Sequence, residues 1–267
     1  MTNKLWDFSA FANHTALRSE VRTVTYQELG EEAERISACV ALRSLVFLLA
    51  RNSPAAIAGY VGFVQNGIVP VMIDATLDAG LLTALRAAYR PCYAWVPAER
   101  AEEFQPSREV LRHDAYVLLD LEEKSPFPLH DDLALLMTTS GSTGSPKLVR
   151  QSYENLRANT ASIAAYLHLD ETERAVTNLP LHYVYGLSIL NTHLAVGASV
   201  VVTEKTLFDR SFWQLMREKE VTTFSGVPYT YAMLKRLRFF RMDLPALHTL
   251  TQAGGKLDPE LHAAFAD

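Results

Sequence analysis

The stretch that most limits how this chain can fold is residues 133–149, LALLMTTSGSTGSPKLV. It opens on an apolar run, 133–137, long enough for a buried strand. Residues 138–144 are then only Thr, Ser and Gly, and Pro146 and Lys147 lead into the apolar pair Leu148 and Val149. Gly141 and Gly144 give the backbone freedom to turn its N–H groups towards one point. Hydroxyls at Thr138, Thr139, Ser140, Ser142 and Thr143 add donors, and Lys147 adds a positive charge. Convergent N–H groups, hydroxyls and one ammonium make a cradle for a polyphosphate. A Walker-type loop needs Gly-Lys-Ser/Thr, whereas Pro146 precedes this lysine and Leu148 follows it. A nucleophile elbow, Gly-x-Ser-x-Gly, is not present. The plain alternative, a Ser/Gly-rich surface linker, would not need to sit between two strand-like apolar runs or end in Pro-Lys.

A chain of 267 residues, 49% hydrophobic, can bury one large core or two small ones. The net charge is −5, and the densest basic piece, 235–241, is interleaved with Leu and Phe. It reads as the solvated side of a helix, which leaves nucleic acid out as a partner. Cys39 and Cys92 form no CxxC pair and suggest a reducing, cytoplasmic setting. The first ten residues, MTNKLWDFSA, lack the apolar core of a signal peptide. Residues 54–73 are largely apolar, but Gln65, Asn66 and Gly67 interrupt them, so they read as a helix followed by a strand rather than a membrane span.

Along the chain, Thr25 and Glu28 have capping-box spacing, and Leu29, Ala33, Ile36 and Val40 recur on one helical face. A strand is expected at 45–50. Ser53 and Pro54 read as N-cap and first position of a helix ending near Gly67. A strand at 68–73, a helix at 77–89 and a strand at 92–96 follow. Residues 97–128 read as loops and short elements with one apolar run, 116–119. Ser152 caps a helix whose inward face is Leu156, Thr160, Ile163 and Leu167. Strands at 175–179, 199–203, 222–225 and 248–252 then alternate with helices at 187–195, 208–219 and 228–239. Asp258 and Pro259 open a last helix, and no glycine C-cap follows it. Strand–helix alternation predicts an α/β fold with parallel sheets and right-handed crossovers.

The loop resembles the phosphate-binding signature of the adenylate-forming superfamily, which includes acyl-CoA synthetases, adenylation domains of peptide synthetases and beetle luciferases. Further segments follow in that family's order. TYQEL at 25–29 is similar to its TYxEL segment, and GIVPVMID at 67–74 to its Gly-x-x-x-Pro-x-Asp segment. LPLHYVYG at 179–186 looks like its substrate-pocket motif, GVPY at 226–229 like its GVP segment, and QAGG at 252–255 like the strand along adenine. The resemblance implies two sheet-and-helix subdomains. The first spans 1–173 and carries the phosphate loop 138–147, with residues 1–55 packing on the second. The second spans 174–267 and is incomplete, and the C-terminal lid domain is absent.

It also implies a reaction, the ATP-dependent activation of a carboxylic acid to an acyl-adenylate. A thiol, CoA or the phosphopantetheine of a carrier protein, then takes the acyl group. Thr139, Ser140, Gly141, Ser142, Thr143, Gly144 and Lys147 would hold the ATP phosphates, with Lys147 and Thr143 nearest the chemistry. Magnesium would accompany the ATP, with no metal ligand assigned on the protein. His182, Tyr183, Val184, Gly226 and Tyr229 would form the acyl pocket, and Ala253, Gly254 and Gly255 the adenine and acyl wall. Where the family has a glycine after the loop lysine, this chain has Leu148. Where it often has histidine, this chain has Tyr153 and Tyr183, with His182 one place early. A slip of one residue points the ring elsewhere, so His182 is either a pocket residue or a hydrogen-bonded structural histidine. Tyr183, Tyr185 and Tyr229 could line the pocket, or each could be ordinary core. Amino-acid-activating relatives place an aspartate near Val184. Valine there would leave a substrate ammonium unpaired, so an acyl or aryl acid is expected rather than an α-amino acid. The family's later Tyr-Gly-x-Thr-Glu motif, its ribose-binding aspartate and its lid lysine have no counterpart, so the chain is expected to be inactive alone. An acyl carrier protein or a complementary C-terminal chain would be its partners. The alternatives are a non-catalytic relative that binds nucleotide or a partner, and one subunit of a split ligase.

Overall fold

A computed structural model describes residues 4–122, 127–138 and 147–266. The polypeptide forms two mixed sheets joined by a shared helical core. Helix α1 (Tyr26–Ser37) starts at a true capping box, in which Thr25 Oγ1 accepts from the Glu28 amide and Glu28 Oε2 from the Thr25 amide. Its face of Leu29, Ala33 and Ile36 is buried. Helix α2 (Pro54–Gln65) is capped by Ser53, with Pro54 at its first turn. It is buried on nearly every side, as a helix apolar all round must be. Gly62 lies against α1, Trp95 Nε1 donates to the carbonyl of Ala55, and Tyr60 donates to Asn191 Oδ1.

The seven-stranded sheet has the order β6-β7-β5-β3-β4-β8-β9. Its centre is β3 (Leu45–Ala50) and β4 (Val69–Asp74), parallel from Leu45↔Val69 to Ala50↔Asp74. β5 (Tyr93–Pro97) and β8 (Leu133–Thr138) extend it in parallel. The margins are antiparallel: β6 (Arg108–His113) pairs with β7 (Tyr116–Asp120), β7 with β5, and β9 (Leu148–Ser152) with β8. Helix α3 (Ala79–Tyr89) covers one face through Leu82 and Leu85.

The six-stranded sheet has the order β13-β12-β10-β11-β1-β2. β10 (Arg174–Val176), β11 (Ser199–Val201), β12 (Thr223–Gly226) and β13 (Thr249–Gln252) run parallel. β1 (Thr15–Arg18) joins β11 in parallel, and β2 (Thr23–Thr25) folds back antiparallel on β1. Helices α4 (Tyr153–Tyr166), α5 (Val184–Ala195), α6 (Arg210–Glu218), α7 (Pro228–Arg236) and α8 (Pro259–Ala266) complete the chain. One buried cluster takes Val46, Leu48 and Trp95 from the first sheet and Leu17 and Val200 from the second, around α2 and Leu187, Leu190 and Leu194 of α5.

The expected parallel pairing runs through most of both sheets, and antiparallel strands stand only at their margins. The connections β1–β2 and β6–β7 are too short for a crossover, so the chain folds back as hairpins. No helix of the described residues is long and apolar enough to cross a membrane.

A polar knot fastens α1 to the first sheet. Arg35 Nη2 lies 2.6 Å from His113 Nδ1, so that nitrogen accepts and Nε2–H faces Glu32 Oε2 at 3.2 Å. Arg22 Nη1 donates to Glu32 Oε1 at 2.7 Å. Burial raises the Glu32 pKa, but the hydrogen bonds from His113 and Arg22 outweigh it and hold the carboxyl at about 2, below the ordinary 4.5. A carboxylate depressed on folding adds stability above its unfolded pKa and loses it as pH falls through the folded one. Glu32→Gln should cost about 1–2 kcal/mol at pH 7, after allowance for solvent screening. Urea titrations should show that difference shrinking between pH 4.5 and 2; a gap that stays constant with pH would contradict the assignment.

Candidate active site

The C-terminal ends of parallel strands are where open α/β sheets bind ligands, and here the ends of both sheets come together. Asp74 closes β4. Its Oδ1 accepts from the amide and hydroxyl of Thr76, both at 2.8 Å, and its Oδ2 lies 3.6 Å from His182 Nε2. Burial pushes the His182 pKa below its ordinary value, while the charge of Asp74 pulls it the other way. Asn52, between β3 and α2, pins the neighbouring segment. Its Nδ2 donates to the carbonyls of Thr177 (2.6 Å) and Leu179 (3.2 Å), and its Oδ1 accepts from the Leu181 amide (3.2 Å). Val71 pairs with Leu136 and Met72 with Met137, so β8 reaches Thr138 at the same end as Asp74. The chain re-enters at Lys147, which is exposed, directly before β9.

The second wall comes from β12, β13 and α5. Tyr183 is the N-cap residue of α5. A Cβ on Gly254 would stand 2.7 Å from the Tyr183 hydroxyl, and Gly254 has φ +81°. Gln252 lashes this turn through Nε2 to the carbonyls of Ala253 (3.0 Å) and Gly255 (2.8 Å), and the Ala253 amide donates to Gly226 O at 3.3 Å. Thr251 gathers the strand ends: Tyr185 and Ser225 share hydrogen bonds with its Oγ1 at 2.9 and 2.7 Å, and Tyr231 donates to its carbonyl at 2.7 Å. Burial raises the Tyr185 pKa, so it stays a phenol at neutral pH. Between α4, α5, β12 and β13 lies a cavity of about 540 Å³, with Ile163, Val184, Ile189 and Leu250 among its apolar lining.

Tyr183, Val184, Ala253 and Gly254 of the expected site line this cavity. His182 turns instead towards Asp74. Gly226 supports Ala253 through its backbone, Gly255 packs on Pro228, and Tyr229 stands largely exposed at the first turn of α7. Thr139, Ser140, Gly141, Ser142, Thr143 and Gly144 lie outside the described residues. Sequence reasoning did not single out Asn52 or Thr251. The signal for Asn52 was a polar residue at the C-terminal end of a buried strand, just before an N-cap. Thr251 offers none, since a threonine in a strand is ordinary.

A family model described as "AMP-binding enzyme" matches residues 6–267. Feruloyl-CoA synthase of an Amycolatopsis species is 27% identical over 263 residues, which cover 95% of this chain and 54% of that protein. The present chain thus spans about half the length of that curated relative. Among solved structures, ATP-bound MatB from Rhodopseudomonas palustris superposes with a TM-score of 0.83 at 20% identity, over all of this chain and 57% of that one. The inhibitor-bound N-terminal domain of FACL13 from Mycobacterium tuberculosis gives 0.81 at 20% identity, over all of this chain and 73% of that one.

Proposed function

The chain belongs to the AMP-binding enzyme family, and from that premise we propose that it carries the ATP- and acid-binding part of an acid–thiol ligase. In the first step a carboxylate oxygen bonds to the α-phosphorus of ATP, and the bond to pyrophosphate breaks. In the second a thiol sulfur bonds to the acyl carbon and AMP leaves, its oxygen keeping the electron pair. Charge builds on phosphate oxygens, so catalysis rests on positioning and electrostatic stabilisation. Lys147 and Thr143 would hold the phosphates nearest the reacting centre, with Thr139, Ser140, Gly141, Ser142 and Gly144. Ala253, Gly254 and Gly255 would wall the adenine and acyl site. Magnesium would arrive with the triphosphate. The described residues hold no group of three His, Cys, Asp or Glu placed to share a metal. The acceptor would be CoA or the phosphopantetheine of a carrier protein. A cytoplasmic setting suits Cys39 and Cys92, both free.

The observation that carries this reading is the meeting at one place of the cavity wall at Gly254 and Tyr183, the Asp74–His182 pair and the strand end at Thr138. Among the described residues, no Asp or Glu lines the cavity. An α-ammonium inside it would be desolvated with no carboxylate among these residues to balance its charge, which is costly. Pyrophosphate exchange in the full-length protein tests both points. 3-Phenylpropanoate should be preferred over phenylalanine by at least about tenfold in kcat/KM, one unpaired polar group being worth ~1–3 kcal/mol. Lys147→Ala should lower exchange about 10- to 100-fold, the loss of one charge-assisted contact. Preference for the amino acid would end the acid assignment, and an unaltered Lys147→Ala enzyme would end the phosphate assignment.

A further inference from the structure

The two sheets are held together by the apolar cluster around α2 and α5. Apolar burial is non-directional, so it joins two bodies without fixing how they register. At the ligand end, directional bonds from Asn52 do that. β3 ends at Ala50, which pairs with Asp74, and Asn52 follows two residues on. The backbone here is tied to the first sheet: the Arg51 amide donates to Tyr116 Oη at 3.1 Å, and that hydroxyl donates to Leu49 O at 2.8 Å. The Asn52 side chain is tied to the second. Nδ2 donates to the carbonyls of Thr177 and Leu179, and Oδ1 accepts from the Leu181 amide. Carbonyls only accept and amides only donate, so these partners fix which way the side-chain amide points.

The segment that Asn52 holds, 177–181, is gripped from its other sides as well. The Thr177 amide donates to Val201 O at 2.9 Å, and Asn178 Nδ2 donates to Ser225 O at 2.5 Å. Gly186, in the first turn of α5, lies so close that a Cβ there would stand 2.2 Å from Pro180 O and 2.9 Å from Leu179 O. The segment runs straight into His182 and Tyr183, and the Tyr183 amide donates back to Pro180 O at 3.0 Å. Tyr183 lines the cavity, and His182 faces Asp74. A displacement of residues 177–181 is therefore carried to both within two residues. Asn52 has given both of its side-chain hydrogens to the protein, which leaves it none to donate to a ligand.

Resting on the acid-activation reading above, we propose that Asn52 is a positioning residue for that reaction: through residues 177–181 it sets the distance between the acid wall at Tyr183 and the strand ends at Asp74 and Thr138. ATP and the acid each bind against their own wall. Loss of the clamp leaves both affinities in place and removes the alignment between the two substrates. Attack of the carboxylate on the α-phosphorus depends on that alignment, and a misplacement of ~1 Å can cost about 100-fold. Asn52 acts only through the segment it holds and touches neither substrate.

The test is acid-dependent pyrophosphate exchange in the full-length protein, with rates taken per ATP-binding site counted by equilibrium titration, so that misfolded protein drops out. Asn52→Asp keeps the shape of the side chain and the bond from Leu181, but turns lone pairs towards the Thr177 and Leu179 carbonyls. At about pH 8 its kcat should fall about 100-fold, with KM for the acid and for ATP each within about threefold of wild type. As the pH is lowered to about 5.5, the new carboxyl, half-buried against two carbonyls, takes up a proton and can donate again. The ratio of variant to wild-type kcat should then rise at least about fivefold, a recovery that a general loosening of the fold does not give. Asn52→Ser, a gentler change for folding, keeps one donor and should lose about tenfold in kcat with no such recovery. A kcat per site equal to wild type in these variants, a loss carried by the KM of the acid instead of kcat, or an Asn52→Asp ratio that stays flat with pH overturns the proposal while leaving acid activation standing. Wild-type exchange that needs no carboxylic acid removes acid activation itself, and this proposal with it.

Discussion

Gly62→Ala should destabilise the protein by about 2–3 kcal/mol, although it replaces the poorer helix former by the best one. On α2 the new Cβ would stand 2.3 Å from Ala33 O, 3.0 Å from Ala33 C and 3.2 Å from Ala33 Cα. All three are backbone atoms of α1, which no rotamer change can move aside. Relief requires α1 to back away, lifting Leu29 and Ile36, both fully buried, off the core. Overpacking typically costs ~1–3 kcal/mol and more where the neighbour cannot yield, while the gain in helix propensity returns only about 1. Gly30→Ala is the matching control. It lies on α1, and its Cβ would meet only Phe8 Cδ2 at 3.7 Å. There the propensity gain stands alone, and stability should rise by about 0.5–1 kcal/mol. Denaturant unfolding of the two variants should move their midpoints in opposite directions. A Gly62→Ala protein as stable as wild type would mean that the two helices do not cross this closely.

The same crossing shows what was legible in the sequence. The capping box at Thr25 and Glu28, the Ser53–Pro54 start and the apolar run of β3 are local signals, and each element stands where its signal falls. β6, REVLRH, does not read as a buried strand: Arg108, Glu109 and Arg112 are exposed, and only His113 is buried. An edge strand needs no inward alternation, so periodicity missed it. β1 and β2 are too short to show a period at all. The hairpin partner β9 has no buried residue, and its Val149 and Arg150 are exposed at the sheet margin, so no period marked its antiparallel return on β8. At the site, the motif order at 179–186 and 252–255 was readable. What no motif could give is which side chains meet across the chain. Asn52 binds carbonyls more than a hundred residues away. His193 sits in a helix whose buried Asn191, Thr192 and His193 interrupt an apolar pattern.

Gly254→Ala should lower kcat/KM for the acid by about 100-fold while lowering the melting temperature by only about 2–8 °C. Gly254 has φ +81°, where an L-residue pays roughly 1–2 kcal/mol. The turn is exposed, so the strain falls on a surface loop rather than on the core. The functional cost is larger because of what the methyl would meet: the Tyr183 hydroxyl at 2.7 Å and Val227 Cγ1 at 3.2 Å. Tyr183 lines the cavity and heads α5, so pushing it aside would shift the wall proposed to position the acid. Attack on the α-phosphorus needs in-line geometry, and a misplacement of ~1 Å can cost about 100-fold. Gly255→Ala separates this effect from mere crowding of the turn. Its Cβ would meet Pro228 at 3.2 Å, away from Tyr183, and no left-handed φ is required. That variant should lose less than about tenfold, having no cavity residue to displace. Pyrophosphate exchange in the full-length protein, with acid and ATP varied in turn, measures both, and thermal melting checks the fold. A folded Gly254→Ala enzyme with unaltered kcat/KM would show that the wall formed by Gly254 and Tyr183 does not border the reacting acid.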